Sequence, residues 1–191
     1  MFHNPADFEF VSALEANWQT IRQEIEQVNQ RDFIEWPEKH LYGKGWDVFG
    51  LYAFGMKLGK NCALCPETTK LVETIPGMVT AGFSSLVPGT HIAPHTGYPD
   101  GVLRCHLGLM GCGDGCGLRV GDRTEHWTEG KCLVFDDTTE HEAWNRGDRT
   151  RIVLLLDFKY PLIEPQKSQN DKNEEQSGGF WQNLKQKFSL R

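Results

Sequence analysis

The sequence predicts a mainly-β fold, a jelly roll of short strands with an N-terminal helix packed on it. Two observations lead there. From about residue 46 onward the apolar residues recur with a period of two, in short runs separated by Gly, Pro and Asp turns. Twenty glycines and six tryptophans in 191 residues suit a β-rich chain with many turns. The length allows one domain with a substantial core and is short for two. The expected organisation is a single domain over 1–163 and a tail over 164–191.

The first element reads as a helix. Asn4 suits an N-cap, Pro5 the first helical position, and Asp7 the first turn, where the macrodipole favours a carboxylate. Phe10, Leu14, Trp18, Ile21, Ile25 and Val28 follow at steps of three or four, an apolar stripe for docking on a sheet. The strand candidates are "WDVFGLYAF", "MVTAGFSSLVPG", "VLRCHLGL", "CGLRVGD", "EHWTEGKCLVF" and "RIVLLLDF". Residues 119–127, "RVGDRTEHW", read as a hairpin with Gly121-Asp122 near its turn. Many short, closely spaced strands fit a jelly roll. Beyond Pro161, "EPQKSQNDKNEEQSGG" is polar and nearly free of apolar residues, a flexible linker. Phe180, Trp181, Leu184 and Phe188 then share one face of a short basic helix over 179–191. Docking on its own domain, or a frayed tail, is expected ahead of contact with a membrane surface.

A net charge of −6 argues against a dedicated nucleic-acid binder, which needs concentrated Lys and Arg. "MFHNPADFEF" lacks the basic and apolar regions of a signal peptide, and no window approaches the length of a membrane-spanning run. The expected address is the cytoplasm. Six cysteines include a Cys62-x-x-Cys65 pair and a Cys112-x-x-x-Cys116 pair. A four-cysteine zinc site or a disulfide is conceivable, but reduced thiols are the favoured reading.

Chemistry concentrates in two stretches, "GTHIAPHTGYPDGVLRCHLGL" and "FDDTTEHEAWNRGDRTRIVLLLDF". Strand alternation in "VLRCHLGL" puts Arg104, His106 and Gly108 on one face and Leu103, Cys105, Leu107 and Leu109 on the other. Arg151 enters a strand too apolar to be exposed on both faces. A guanidinium there needs an anion, and no buried carboxylate is apparent for either arginine, which invites a carboxylate ligand from outside. His95 and His141 each sit in a turn-like context beside a strand, where a neutral imidazole can bind a divalent metal. A two-histidine, one-carboxylate iron site commonly carries its carboxylate two residues after the first histidine, and that position is Gly97. Asp136 and Asp137 could supply a replacement, or could bond backbone amides and set up His141. His91 is expected to orient the loop. His106 shares its face with Arg104 and is assigned to the pocket, with a core histidine as the alternative. His3, His40 and His126 are expected at the surface, and Trp127 and Trp144 in the core.

The run from Trp46 to Pro161 resembles the aspartyl/asparaginyl β-hydroxylase family of iron(II)- and 2-oxoglutarate-dependent oxygenases. The matching pieces are "GWDVFGL", "PGTHIAPHTG", "LRCHLGL", "RVGD", "EGKCLVFDDTTEHEAWN" and "VLLLDF". The resemblance implies a double-stranded β-helix whose iron is held by two histidines and no carboxylate, so Gly97 matches the family. It implies that His95 and His141 hold the iron. It places Arg151 on the distal carboxylate of 2-oxoglutarate, with Arg104, His106, Ser84 and Trp46 in the same cosubstrate pocket. The implied chemistry uses Fe(II), 2-oxoglutarate and O2 to hydroxylate a C–H bond. The leading substrate expectation is the β-carbon of Asp or Asn in a peptide or protein. The alternatives are a free amino acid, a lipid acyl chain, or a module that binds a metal or small acid without turnover. Asp100 and Ala93 depart from family habit near the substrate side.

Overall fold

The computed structural model describes residues 1–97 and 101–160. The polar linker, the amphipathic segment and the boundary at residue 163 lie outside the described residues. In chain order the elements are β1 (Phe2–His3), α1 (Glu9–Ala16), α2 (Trp18–Gln27), β2 (Ile34–Glu35), β3 (Trp46–Ala53), β4 (Met56–Lys57), α3 (Gly59–Leu64), α4 (Pro66–Glu73), β5 (Met78–Leu86), β6 (His91–His95), β7 (Val102–Met110), β8 (Cys116–Val120), β9 (Arg123–His126), β10 (Cys132–Asp136), β11 (His141–Asn145) and β12 (Arg151–Lys159).

The strands form two antiparallel sheets. The large one runs β1-β10-β7-β12-β5-β3-β2, with β4 paired to β3; the small one runs β6-β11-β8-β9. Helices cover one face of the large sheet and the small sheet faces its other side. This is the cupin-like, double-stranded β-helix arrangement that the strand pattern and the resemblance lead one to expect. Central β12 has β5 on one side and β7 on the other. Its near-continuous apolar run follows from being covered on both faces, since no side of the strand meets water.

Two cores result. Beneath the helices, Leu14, Ile21 and Ile25 pack with Phe49, Phe83, Leu107, Leu154 and Leu156. Between the sheets, Trp46, Leu86, Ile92, Leu118, Trp127, Phe135 and Val153 pack together. Each large apolar side chain so buried contributes roughly 1.5–3 kcal/mol. The second core is interrupted by polar groups, and these make the site.

The single N-terminal helix expected from the apolar stripe is two helices. Asn17 breaks it: its side-chain Nδ2 donates to the Ala13 carbonyl at 2.8 Å, and its backbone leaves the helical region. Asn4 does cap, accepting from Ala6 N at 3.2 Å, but what it caps is a 3-10 turn over Pro5–Asp7. Helices α3 and α4 had no counterpart in the sequence reading. The start of α4 is capped from elsewhere, because the Glu24 carboxylate on α2 accepts from Glu67 N and Thr68 N at 2.8 Å each. The hairpin reading holds, with Val120 opposite Arg123 and Gly121-Asp122 between them. The six cysteines carry free thiols.

Candidate active site

His95 closes β6, His141 opens β11, and the pairing of these strands sets the two residues opposite each other. Both therefore stand on strand ends, where turn positions had been expected. Their rings approach to 4.3 Å between centroids. His95 Nδ1 lies 2.8 Å from the Ala93 carbonyl, and His141 Nδ1 lies 2.9 Å from the Thr139 carbonyl. A carbonyl oxygen only accepts, so each ring carries its hydrogen on Nδ1 and keeps a lone pair on Nε2. Burial, then the charges of His95 and Arg104, push the His141 pKa down to about 3, which keeps it neutral. Two imidazoles, each oriented through Nδ1 with Nε2 left to donate, are the donor set that a divalent metal takes from histidine. Among the described residues no group of three His, Cys, Asp or Glu side chains is arranged to hold a metal. Two nitrogens are what these residues offer.

Gly97 has a geometric reason to be glycine. A Cβ there would meet Asp137 Oδ2 at 1.7 Å, and Gly97 N donates to the Asp137 carbonyl at 2.8 Å. The space a side chain at 97 would need is filled by the Asp137 carboxylate. Its Oδ1 lies 3.4 Å from His141 Nε2 and 2.8 Å from Arg104 Nη1. Asp136 instead accepts from Thr138 N at 2.9 Å, the backbone-bonding role foreseen for that pair.

For Arg104 the expectation of no buried carboxylate partner is corrected. Asp157 sits directly opposite it across the β7–β12 ladder. Arg104 Nε donates to Asp157 Oδ1 at 2.7 Å and Nη2 to Oδ2 at 3.1 Å. Burial pushes the Asp157 carboxyl upward while the Arg104 charge pulls it down. The signal was in the sequence: Asp157 follows Arg151 by six residues and so shares its face.

Arg151 has no such partner among the described residues. It is 1% exposed, its Nη1 donates to the Ser84 carbonyl at 3.3 Å, and its guanidinium lies 4.4 Å from the Trp127 ring centroid. Its Nε has no hydrogen-bond partner. Burial lowers its pKa to about 10. Beside it, His106 Nδ1 accepts from Trp127 Nε1 at 3.3 Å, so Nε2 carries the hydrogen and it too is unpartnered. Burial, then Arg104, Arg151 and His141, hold the His106 pKa well below its ordinary value. Trp46 Nε1 donates to Ser84 Oγ at 3.0 Å, leaving the Ser84 hydroxyl hydrogen available. Contacts thus join Trp46 to Ser84, Ser84 to Arg151, Arg151 to Trp127 and Trp127 to His106.

His91 lies outside, paired with Glu142 at 2.7 Å. Trp144, expected in the core, is half-buried on the outer face of the small sheet, with Arg146 4.9 Å from its ring.

Residues 15–161 match the Aspartyl/Asparaginyl beta-hydroxylase family, and the chain belongs to it. The chain is 40% identical over 173 residues to the ornithine lipid ester-linked acyl 2-hydroxylase of Rhizobium tropici, covering 85% of this chain and 62% of that one. It is 37% identical over 168 residues to the human aspartyl/asparaginyl beta-hydroxylase, covering 83% of this chain and 22% of that one. Human aspartate beta-hydroxylase domain-containing protein 2 is 33% identical over 177 residues, covering 85% and 47%. The chain therefore spans less than two thirds of the curated relatives it matches. No helix among the described residues is long and apolar enough to cross a membrane.

Proposed function

We propose that this protein is an Fe(II)- and 2-oxoglutarate-dependent hydroxylase acting on a lipid acyl chain. The observation that carries the chemistry is the facing pair of Nδ1-anchored histidines together with a buried arginine, Arg151, that has no carboxylate partner among the described residues. His95 and His141 would hold the iron through Nε2. Arg151, the Ser84 hydroxyl and the His106 Nε2–H would bind the carboxylates of 2-oxoglutarate, satisfying donors that otherwise stay buried and unpaired. When bound, Fe(II) and 2-oxoglutarate supply with O2 the oxidation that converts C–H to C–OH, the cosubstrate leaving as succinate and CO2. Asp137, fixed by Arg104 and Asp157, would orient whatever stands beside His141 and cap that side of the site. Trp46 and Trp127 exclude water from the cosubstrate end.

The preference for an acyl chain over Asp or Asn rests on similarity and on charge. The acyl 2-hydroxylase shares more identity with this chain, over a larger part of its own length, than the human peptide-residue hydroxylase. Among the described residues the buried acidic and basic side chains are Arg104, Arg151, Asp137 and Asp157, two of each kind. Fe(II) and the 2-oxoglutarate dianion also cancel, so a substrate carboxylate would enter as an uncompensated charge. A neutral chain does not.

The test is an anaerobic titration of metal-free protein with Fe(II), then 2-oxoglutarate, followed by aerobic turnover with acyl lipid or Asp-containing peptide. A visible chelate band that needs both additions, with succinate formed in step with hydroxylated lipid, supports the reading. Absence of the band overturns the oxygenase assignment, and hydroxylation of the peptide alone overturns the substrate.

A further inference from the structure

Beside the site lies a narrow, largely apolar cleft that shares Ser84 and Arg104 with it and is otherwise unused by the chemistry above. It runs along β3 and β5 of the large sheet. Trp36, Val48, Gly50, Phe54, Phe83 and Leu155 line it, and Arg104 and Asp157 stand at its inner end. It adjoins the site through Arg104, which lines it and holds Asp137 next to His141. Trp36 flanks it, stacked on Trp46 at 4.8 Å between centroids, and Trp46 is the residue bonded to Ser84. At the hairpin between β3 and β4, Phe54 has φ of 51°; among the described residues it alone occupies that region without being glycine. A bulky residue held there is strained, and such strain gathers at functional positions.

We infer that this cleft is the acyl-chain subsite, with Val48 and Leu155 as its walls and Phe54 limiting its length. The inference rests on the proposed lipid substrate. An extended hydrocarbon suits a narrow apolar slot, whereas a peptide side chain with its backbone would leave polar groups unpaired there. With the tail buried, the carbons next to the ester are left nearest His95 and His141. Oxidation is thereby directed to the head end of the chain. Arg104 and Asp157 satisfy one another at the inner end and add no net charge to the slot.

The probe is a set of lysophosphatidylcholines of increasing chain length, brominated at the chain terminus and used below their micelle thresholds. Bromine quenches tryptophan fluorescence on contact, and Trp36 lines the slot. Saturable quenching should tighten about four-fold per methylene, the factor corresponding to ~0.8 kcal/mol, until the slot is full. Val48→Phe should weaken it ten-fold or more, and Phe54→Gly should lengthen the longest chain that still gains affinity. Thermal melts of both variants separate misfolding from a filled slot. Quenching that ignores chain length, or is the same in folded Val48→Phe, overturns the subsite. So does a Phe54→Gly variant with unchanged length preference. The Fe(II)/2-oxoglutarate band recorded on the same wild-type sample keeps the two ideas apart. Its loss with length-dependent quenching retained would sink the oxygenase reading alone.

Discussion

Arg104 and Arg151 are two buried arginines on the inner face of one sheet, and they differ in what surrounds them. Arg104 is met by Asp157 in a fork and by Asp137. Arg151 has a carbonyl, an aromatic face and an unpartnered Nε. A saturated guanidinium is architecture that positions its neighbours. A buried guanidinium short of acceptors costs stability in the free protein and recovers it when an anion arrives. Burial alone therefore does not make a buried charge a binding residue; the missing partner does.

The largest expected effect lies at the two histidines. Replacing both His95 and His141 by Ala should abolish the Fe(II)/2-oxoglutarate band, and calorimetric titration with Fe(II) should show no site. Next comes the saturated arginine. Asp157→Asn should cost stability in urea unfolding, up to about 3 kcal/mol, since it removes the fork and leaves Arg104 with Asp137 as its anion. The double change Arg104→Met with Asp157→Leu should not recover that loss, because it leaves buried Asp137 without its arginine; full recovery would mean that Asp137 does not depend on Arg104. Arg151→Met should behave oppositely. Its urea midpoint should hold or rise, while 2-oxoglutarate affinity falls at least about 30-fold, or ~2 kcal/mol. A clear loss of stability with affinity kept would make the two arginines alike after all.

The smallest effect is a pH dependence. His106 is held neutral in the fold, its pKa below the unfolded value near 6.5. The unfolded chain takes up that proton first as pH falls. Stability is thus complete above about pH 6.5 and declines below it toward the folded pKa. Urea midpoints of metal-free protein across pH 5–8 should show this decline, and His106→Gln should make it shallower, the remainder belonging to His141.

Much of the site was legible. The two histidines, both arginines, Ser84, Trp46 and His106 were named from strand alternation or from the resemblance, and the structure sets His95 against His141 and links Trp46, Ser84 and Arg151 by hydrogen bonds. What was misjudged has a common cause. Asp157 was not recognised as the partner of Arg104 because the ladder that opposes them joins positions 53 residues apart. Helix α4 was missed because Glu24, on another helix, caps it. The break at Asn17 was hidden because the apolar stripe continues through it.

By itself the sequence determined the fold class, the two faces of the strand that carries Arg104 and His106, and which residue types could do chemistry. Period and turn residues act locally, and a strand's alternation needs no knowledge of its neighbours. Only the tertiary structure decided which arginine is saturated, why position 97 must be glycine and where a chain could lie. Those depend on register between distant strands, which sets atoms within bonding distance that the covalent chain keeps far apart.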